Sequence, residues 1–341
     1  MPAPLAPDFR PQYHQLHRVG RPGWWRSLLG AVLLVVLVFG VVPAVLGLLA
    51  LVALLVGGTS AEEAGELLDV TAEVTPMGLA ALNLLLGSAI LSSWLVLWLF
   101  HRLKPRWLSS VAPRLRWRFL LACLPLSVVA LVASLGVSLL LPLSGTGAEP
   151  VGSLNDFTST TRDFLLVIAL LTPLQAAGEE YVFRGYLTQA FGSLLPWRRV
   201  SLALAVLAPA VLFALAHGFG QSWPVFFDRF AFGVVAGILV IRTGGLEAAI
   251  AMHVLNNFFA YGLALSFGDM TEALNATGPA SPWTIVSTLT QSLVYLGLAS
   301  WVATAMRVER TGPPVGPALP PPPAAGPGHG GPILAAPPPR V

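Results

Sequence analysis

The chain is 341 residues long, 55% hydrophobic and only 10% charged, with a formal net charge of +3. Soluble domains carry roughly 25% charged residues, so this composition excludes a soluble globular protein and describes an integral membrane one. The small positive charge is spread over loops and leaves no footprint for nucleic acid.

Residues 1–22 are polar with several prolines and read as a disordered cytoplasmic N-terminus. Apolar runs of about 20 residues, enough to span a bilayer, follow at 27–56, 77–100, 119–141, 164–192, 200–218, 224–241, 246–267 and 283–306, about eight in all. The first is too long for a signal-peptide core and lacks the small-residue cleavage site, so it reads as an anchor. Arg10, Arg18, Arg21 and Arg26 precede it, whereas Glu62, Glu63, Glu66, Asp69 and Glu73 follow it. The Lys/Arg bias therefore predicts a cytoplasmic N-terminus. Counting spans from there places Arg102, Lys104, Arg106, Arg114, Arg116 and Arg118, then Arg198 and Arg199, Arg242, and finally Arg307 and Arg310 on the same cytoplasmic side. Trp24, Trp25, Trp107, Trp117, Trp197 and Trp223 fall at span ends, as interfacial anchors do. The single cysteine, Cys123, sits in an apolar run, which excludes a disulfide framework or a thiolate metal cluster and predicts a buried structural thiol. Residues 311–341 read as a flexible polyproline-like tail in which His329 is solvated. No internal repeat has a convincing period.

Against this background "AGEEYVFRGYL", residues 177–187, is out of place. A charge at the bilayer centre costs about 2.5–3.5 kcal/mol even on a lenient insertion scale, so intramembrane charge is a functional-site hypothesis by default. On a helix, residues four apart share a face while neighbours diverge by about 100°. Glu180 therefore pairs with Arg184, and Glu179 needs another partner. In the apolar region after residue 120 the imidazoles are His217, in "FALAHGFG", and His253, in "AMHVLNNFF". Asn257 shares the face of His253, and Phe213 is placed to pack beside the ring of His217. Each residue also has a plain structural reading: an interhelical hydrogen bond worth about 0.6 kcal/mol for a lone His or Asn, and an ion pair for Glu180 with Arg184. Those readings leave Glu179 unexplained.

"EEYVFR" (Glu179 to Arg184), "FALAH" (Phe213 to His217) and "HVLNN" (His253 to Asn257) resemble, in order, the EExxxR, FxxxH and HxxxN motifs of the CPBP intramembrane proteases. This family of glutamic or metal-dependent proteases includes the Rce1-type CAAX endopeptidases and bacteriocin-processing proteins. The resemblance covers about residues 164–267 and implies an all-α polytopic membrane protein with a CPBP-type helical core. It further implies a membrane-embedded endopeptidase in which Glu179 with His217 activates a water, His253 and Asn257 stabilise the oxyanion, and Glu180, Arg184 and Phe213 support the site. The expected organisation is 1–22 disordered, 23–163 N-terminal transmembrane helices, 164–267 protease core, 268–310 last transmembrane helix and flanks, and 311–341 disordered tail. The partners implied are a peptide or membrane-anchored protein substrate and the bilayer, with no nucleic acid and no cofactor.

Two His and one carboxylate also suit zinc with an open water position, although HExxH is absent. A proton relay in a transporter and an immunity-type scaffold are the non-enzymatic alternatives. One geometric difficulty stands out. Straight helices rising 1.5 Å per residue put Glu179 toward the cytoplasmic side and His217 toward the other. The stretch 186–199 is therefore expected to re-enter or tilt, or the next helix to break near Pro209.

Overall fold

The computed structural model describes residues 9–69, 73–141, 153–275 and 281–315. Among them there is no β-strand beyond three isolated bridges, and eight helices are long and apolar enough to cross a membrane. We number the helices α1 (Trp24–Val56), α2 (Ala61–Leu68), α3 (Pro76–His101), α4 (Trp117–Ser138), α5 (Ser159–Leu194), α6 (Arg198–Ala216), α7 (Trp223–Thr243), α8 (Glu247–Phe267), α9 (Met270–Asn275) and α10 (Thr284–Ala305). The spans are those expected from the apolar runs, shifted by a few residues at their ends. Their starts follow ordinary capping: the Thr75 hydroxyl accepts from Gly78 N–H with Pro76 in the first turn, and Thr158 with Thr161 forms a capping box at the head of α5. Trp24, Trp117, Trp197 and Trp223 are exposed at the ends of helices, as the anchor reading requires. Cys123 is buried.

The difficulty over depth has a different solution from the one expected. Residues 186–194 stay helical, only Leu195–Trp197 connects α5 to α6, and α6 runs unbroken through Pro209. The resolution is length: α5 has 36 residues, about 54 Å at 1.5 Å per residue, against a hydrocarbon core of about 30 Å. From Glu179 to Leu194 is about 22 Å of helix, and the 19 residues of α6 climb back about 28 Å. The two arms of this hairpin thus bring residues 179–183 and 213–217 level, and the rings of Phe183 and Phe213 meet edge-on at 5.2 Å. Within α5 the turn Tyr181–Leu187 is π-helical, and all seven of its residues are buried. Single π turns of this kind mark functional stretches of helices.

The centre of the bundle is the packing of α3 on α5. A Cβ at Gly178 would collide with the Leu86 carbonyl oxygen, and one at Gly87 would lie 2.7 Å from the Leu174 side chain. Small residues there let two backbones approach as transmembrane helices do where lipid offers no hydrophobic drive. Asn83 Nδ2 donates to Thr172 Oγ1 at 3.2 Å across the same contact.

The disordered N-terminus expected for residues 1–22 is corrected from residue 9 onward. Phe9 and Gln12 form antiparallel bridges with Val315 and Thr311, and Tyr13–Arg18 is a 3-10 helix whose Tyr13, His14, Leu16 and His17 are buried. The reason is backbone chemistry: Tyr13 donates to the Leu108 carbonyl, and Arg18 Nη2 donates to the Gly192 and Leu195 carbonyls at 3.0 and 2.7 Å. Arg18 thereby satisfies carbonyls left open where α5 ends. Residues 311–315 belong to the same layer; residues 1–8 and 316–341, including His329 and most of the proline-rich tail, lie outside the described residues. A second clamp is the bidentate pair of Arg116 with Glu247, Nε to Oε1 at 2.8 Å and Nη2 to Oε2 at 2.6 Å, with Nη1 on the Thr243 and Glu309 carbonyls.

Burial, with Arg18 and Arg198 nearby, pushes His14 down from 6.5 to about 4. An undocked segment binds that proton near pH 6.5 and the docked one only near 4, so docking is at full strength above about 6.5 and weakens progressively down to about 4. Hydrogen-exchange protection over Tyr13–Arg18 is therefore expected to fall across that window, and to fall less in His14→Leu. Equal pH dependence in the two proteins would show that His14 is not the group responsible.

Candidate active site

The π turn and the α5–α6 hairpin bring the first two motifs together, and α8 packs against α5 to add the third. Glu180 is fully buried, and its Oε1 accepts from Arg184 Nη1 at 3.0 Å and from His253 Nδ1 at 2.8 Å. The expected i, i+4 pair is present, and His253 is an additional partner that helix spacing alone does not reveal. Arg184 Nε and Nη2 are buried without a hydrogen-bond partner. What faces the guanidinium instead is aromatic: its Cζ lies 4.1 Å from the Phe213 ring centroid and 5.4 Å from that of Phe232. A cation over a ring face gains about 2 kcal/mol or more when desolvated. Phe213 also packs edge-on against His217 at 4.6 Å, as its spacing predicts.

Glu179 points the other way. Its Oε1 accepts from Gln175 Nε2, and its Oε2 is buried without a hydrogen-bond partner, 3.8 Å from His253 Nε2. The two adjacent carboxylates, although splayed about the helix, therefore address the two nitrogens of one imidazole. His217 Nδ1 is 2.8 Å from the Phe213 carbonyl. A carbonyl only accepts, so Nδ1 carries the proton and Nε2 keeps its lone pair. Asn257 Nδ2 donates to Gln175 Oε1 at 2.9 Å.

Glu179, His217, His253 and Asn257 all line one cavity of about 490 Å³. Part of its wall is apolar and comes from outside the three motifs: Val38, Phe39 and Pro43 of α1, and Leu82, Leu85 and Leu86 of α3. Another part is polar, with Asp228 and Arg229 of α7, Asn256 of α8, and Thr288 and Gln291 of α10. Sequence reasoning missed Gln175 and this polar wall. Gln175 carried a usable signal, a polar residue one helical turn before Glu179 in an apolar run. Asp228 and Arg229 lie near the head of their span, where charge is unremarkable. Among the described residues no group of three or more His, Cys, Asp or Glu is arranged to hold a metal ion.

An α-helical bundle that encloses two carboxylates, two imidazoles and a guanidinium around one cavity has the makings of a membrane-embedded hydrolase. Comparison with known proteins adds a likeness to this chemistry. Residues 161–259 match the family described as type II CAAX prenyl endopeptidase Rce1-like, so this segment is similar to that family. YyaK of Bacillus subtilis strain 168 is 29% identical over 44% of this chain and 52% of its own length. A 24.3 kDa protein of Escherichia coli is 28% identical over 36% of this chain and 55% of its own. The membrane-embedded CAAX protease MroQ of Staphylococcus aureus strain USA300 is 31% identical over 28% of this chain and 37% of its own. The chain thus spans about half the length, or less, of the curated relatives it matches. No solved structure matches it significantly.

Arg184→Ala is expected to lower the yield of folded protein, because removing one partner of a buried ion pair costs about 3–5 kcal/mol and His253 alone must then balance Glu180. The double variant Glu180→Gln with Arg184→Gln should recover part of that yield. Fluorescence-detected size-exclusion chromatography of the detergent-solubilised variants measures both; a double variant no better than Arg184→Ala would dissolve the pair.

Proposed function

We propose that the chain is an intramembrane endopeptidase in which Glu179 is the general base. The observation that carries this reading is the unpartnered, buried Glu179 Oε2 at 3.8 Å from His253 Nε2, in a cavity that also holds His217 and Asn257. A water about 2.8 Å from both atoms satisfies hydrogen-bond geometry. Glu179 takes a proton from this water, with the lone pair of His217 Nε2 assisting, and the hydroxide adds to the carbonyl carbon of a peptide bond. The oxyanion is met by the second N–H of Asn257 and by the His253 ring, which the Glu180 carboxylate orients through Nδ1. The C–N bond then breaks as Glu179 returns its proton to the departing amine. Preorganised donors of this kind are worth about 10²–10³ each in rate.

The substrate in this reading is a peptide or membrane-anchored protein that reaches the cavity from the bilayer. The family's name points to prenylated CAAX proteins. Lys104, the only lysine of the chain, suggests an arginine-rich prokaryotic source in which such substrates are not expected, so peptide maturation is the class we favour. We also propose that both termini are cytoplasmic. The bridges of Phe9 with Val315 and Gln12 with Thr311 support a common side for the two terminal segments, and the Lys/Arg-rich loops favour the cytoplasmic one. With Cys123 buried, Ala3→Cys should react with a membrane-impermeant maleimide only after permeabilisation; labelling of intact cells would reverse the orientation.

Glu179→Gln is expected to insert and fold like the native chain and to release none of the peptides that separate native cells from cells lacking the protein, as read by membrane proteomics. Release at the native level would remove the general-base assignment. Asn257→Ala should lower turnover roughly 10²–10³-fold with little change in KM, since the interaction forms chiefly in the transition state. Purified protein should contain no stoichiometric zinc. One tightly held zinc per chain, with chelator-sensitive turnover restored by zinc, would favour a metal mechanism on the same residues.

A further inference from the structure

Gln175 is 5% exposed and stands between two groups on different helices. Its Nε2 donates to Glu179 Oε1, and its Oε1 accepts from Asn257 Nδ2 at 2.9 Å. The order of these bonds is dictated by chemistry. An ionised carboxylate only accepts, so the amide nitrogen of Gln175 must face Glu179. Its oxygen is then turned toward α8, where only the nitrogen end of Asn257 fits. One amide thus fixes the orientation of a second, and both are referenced to the carboxylate.

We propose that Gln175 is a positioning residue that holds the base and the oxyanion donor in register. The inference rests on the protease reading of the preceding section. With Oε1 of Glu179 held by Gln175, it is Oε2 that faces His253 Nε2 and receives the proton from water. Because the first N–H of Asn257 is spent on Gln175, its second N–H is held toward the space where the carbonyl oxygen develops its charge. An apolar side chain at position 175 would leave a carboxylate oxygen and an amide N–H of the machinery without partners, each free to rotate from its working direction.

The test compares the native protein with Gln175→Met, an isostere without the amide, on a quenched synthetic copy of a peptide whose release in cells depends on Glu179. Gln175→Met should lower kcat roughly 10²-fold, the penalty typical of misplaced reacting groups, with KM nearly unchanged and thermal stability in detergent close to native. Asn257→Ala should then lower kcat by on the order of tenfold or less in the Gln175→Met background, against 10²–10³-fold in the native one, because Gln175→Met has already released Asn257. A merely structural role for Gln175 would show itself as multiplying losses or as a loss of folded protein that tracks the loss of rate. Either result overturns the proposal, as does a native kcat in Gln175→Met. If Gln175→Met fails to accumulate, Gln175→Asn replaces it: it is polar but one methylene too short to reach both partners, and the same fall in kcat is expected. Glu179→Gln is run alongside. If it leaves peptide release at the native level, the general-base assignment on which this inference rests falls; if it abolishes release while Gln175→Met turns over normally, only the positioning role does.

Discussion

Glu180 Oε1 is the acceptor that Arg184 and His253 share, and the rest of the site is arranged around it. A lone buried carboxylate in this bundle would carry several kcal/mol of lost hydration, so the chain must deliver hydrogen-bond donors to it. Arg184 comes from the next turn of α5 and His253 from α8. The guanidinium, in turn, needs the ring faces of Phe213 on α6 and Phe232 on α7. Neutralising one charge therefore ties four helices together, and the same ties orient the imidazole whose other nitrogen looks at Glu179. The two adjacent glutamates differ in what they engage: Glu180 takes Arg184 and His253 Nδ1 on Oε1, Glu179 takes Gln175 on Oε1, and the second oxygen of each is buried without a hydrogen-bond partner.

The length of α5 makes that network possible. A span trimmed to the hydrocarbon thickness would leave Glu179 and His217 at different depths. By running on through the π turn to Leu194 and turning back within three residues, the chain forms a helical hairpin whose two arms carry Glu179 and His217 at one level. The walls of the cavity come from farther afield. α1, α3 and α10 lie outside the segment that matches the Rce1-like family at 161–259, yet Phe39, Leu86 and Gln291 line the same space as Glu179. The motif residues and much of the cavity wall are thus supplied by different parts of the sequence.

Much of this was legible beforehand. Apolar runs locate the spans to within a few residues because lipid imposes one requirement on every residue of a span, and the three motifs stand out because charge in such runs is rare. What escaped was whatever depends on partners distant in sequence. The 3-10 segment Tyr13–Arg18 has no periodicity of its own and is ordered by carbonyls of Leu108, Gly192 and Leu195. Arg116 reads as one more basic loop residue until Glu247 is seen to grip it. The bond from Gln175 to Asn257 joins residues that look unrelated in the chain. The length of α5 was underestimated at its ends, where the polar turn 159–163 and residues 193–194 extend the helix beyond the apolar run 164–192.

The pairing of Phe9 and Gln12 with Val315 and Thr311 has a consequence for biosynthesis. The bridge partner of the N-terminal segment is translated only after α10, and Arg18 docks onto the end of α5, which itself emerges midway. During insertion the early helices must wait in the bilayer without this contact, which can form only once α10 has been made. A chain arrested before residue 311 would retain all the motif residues and lack the contact between these two segments.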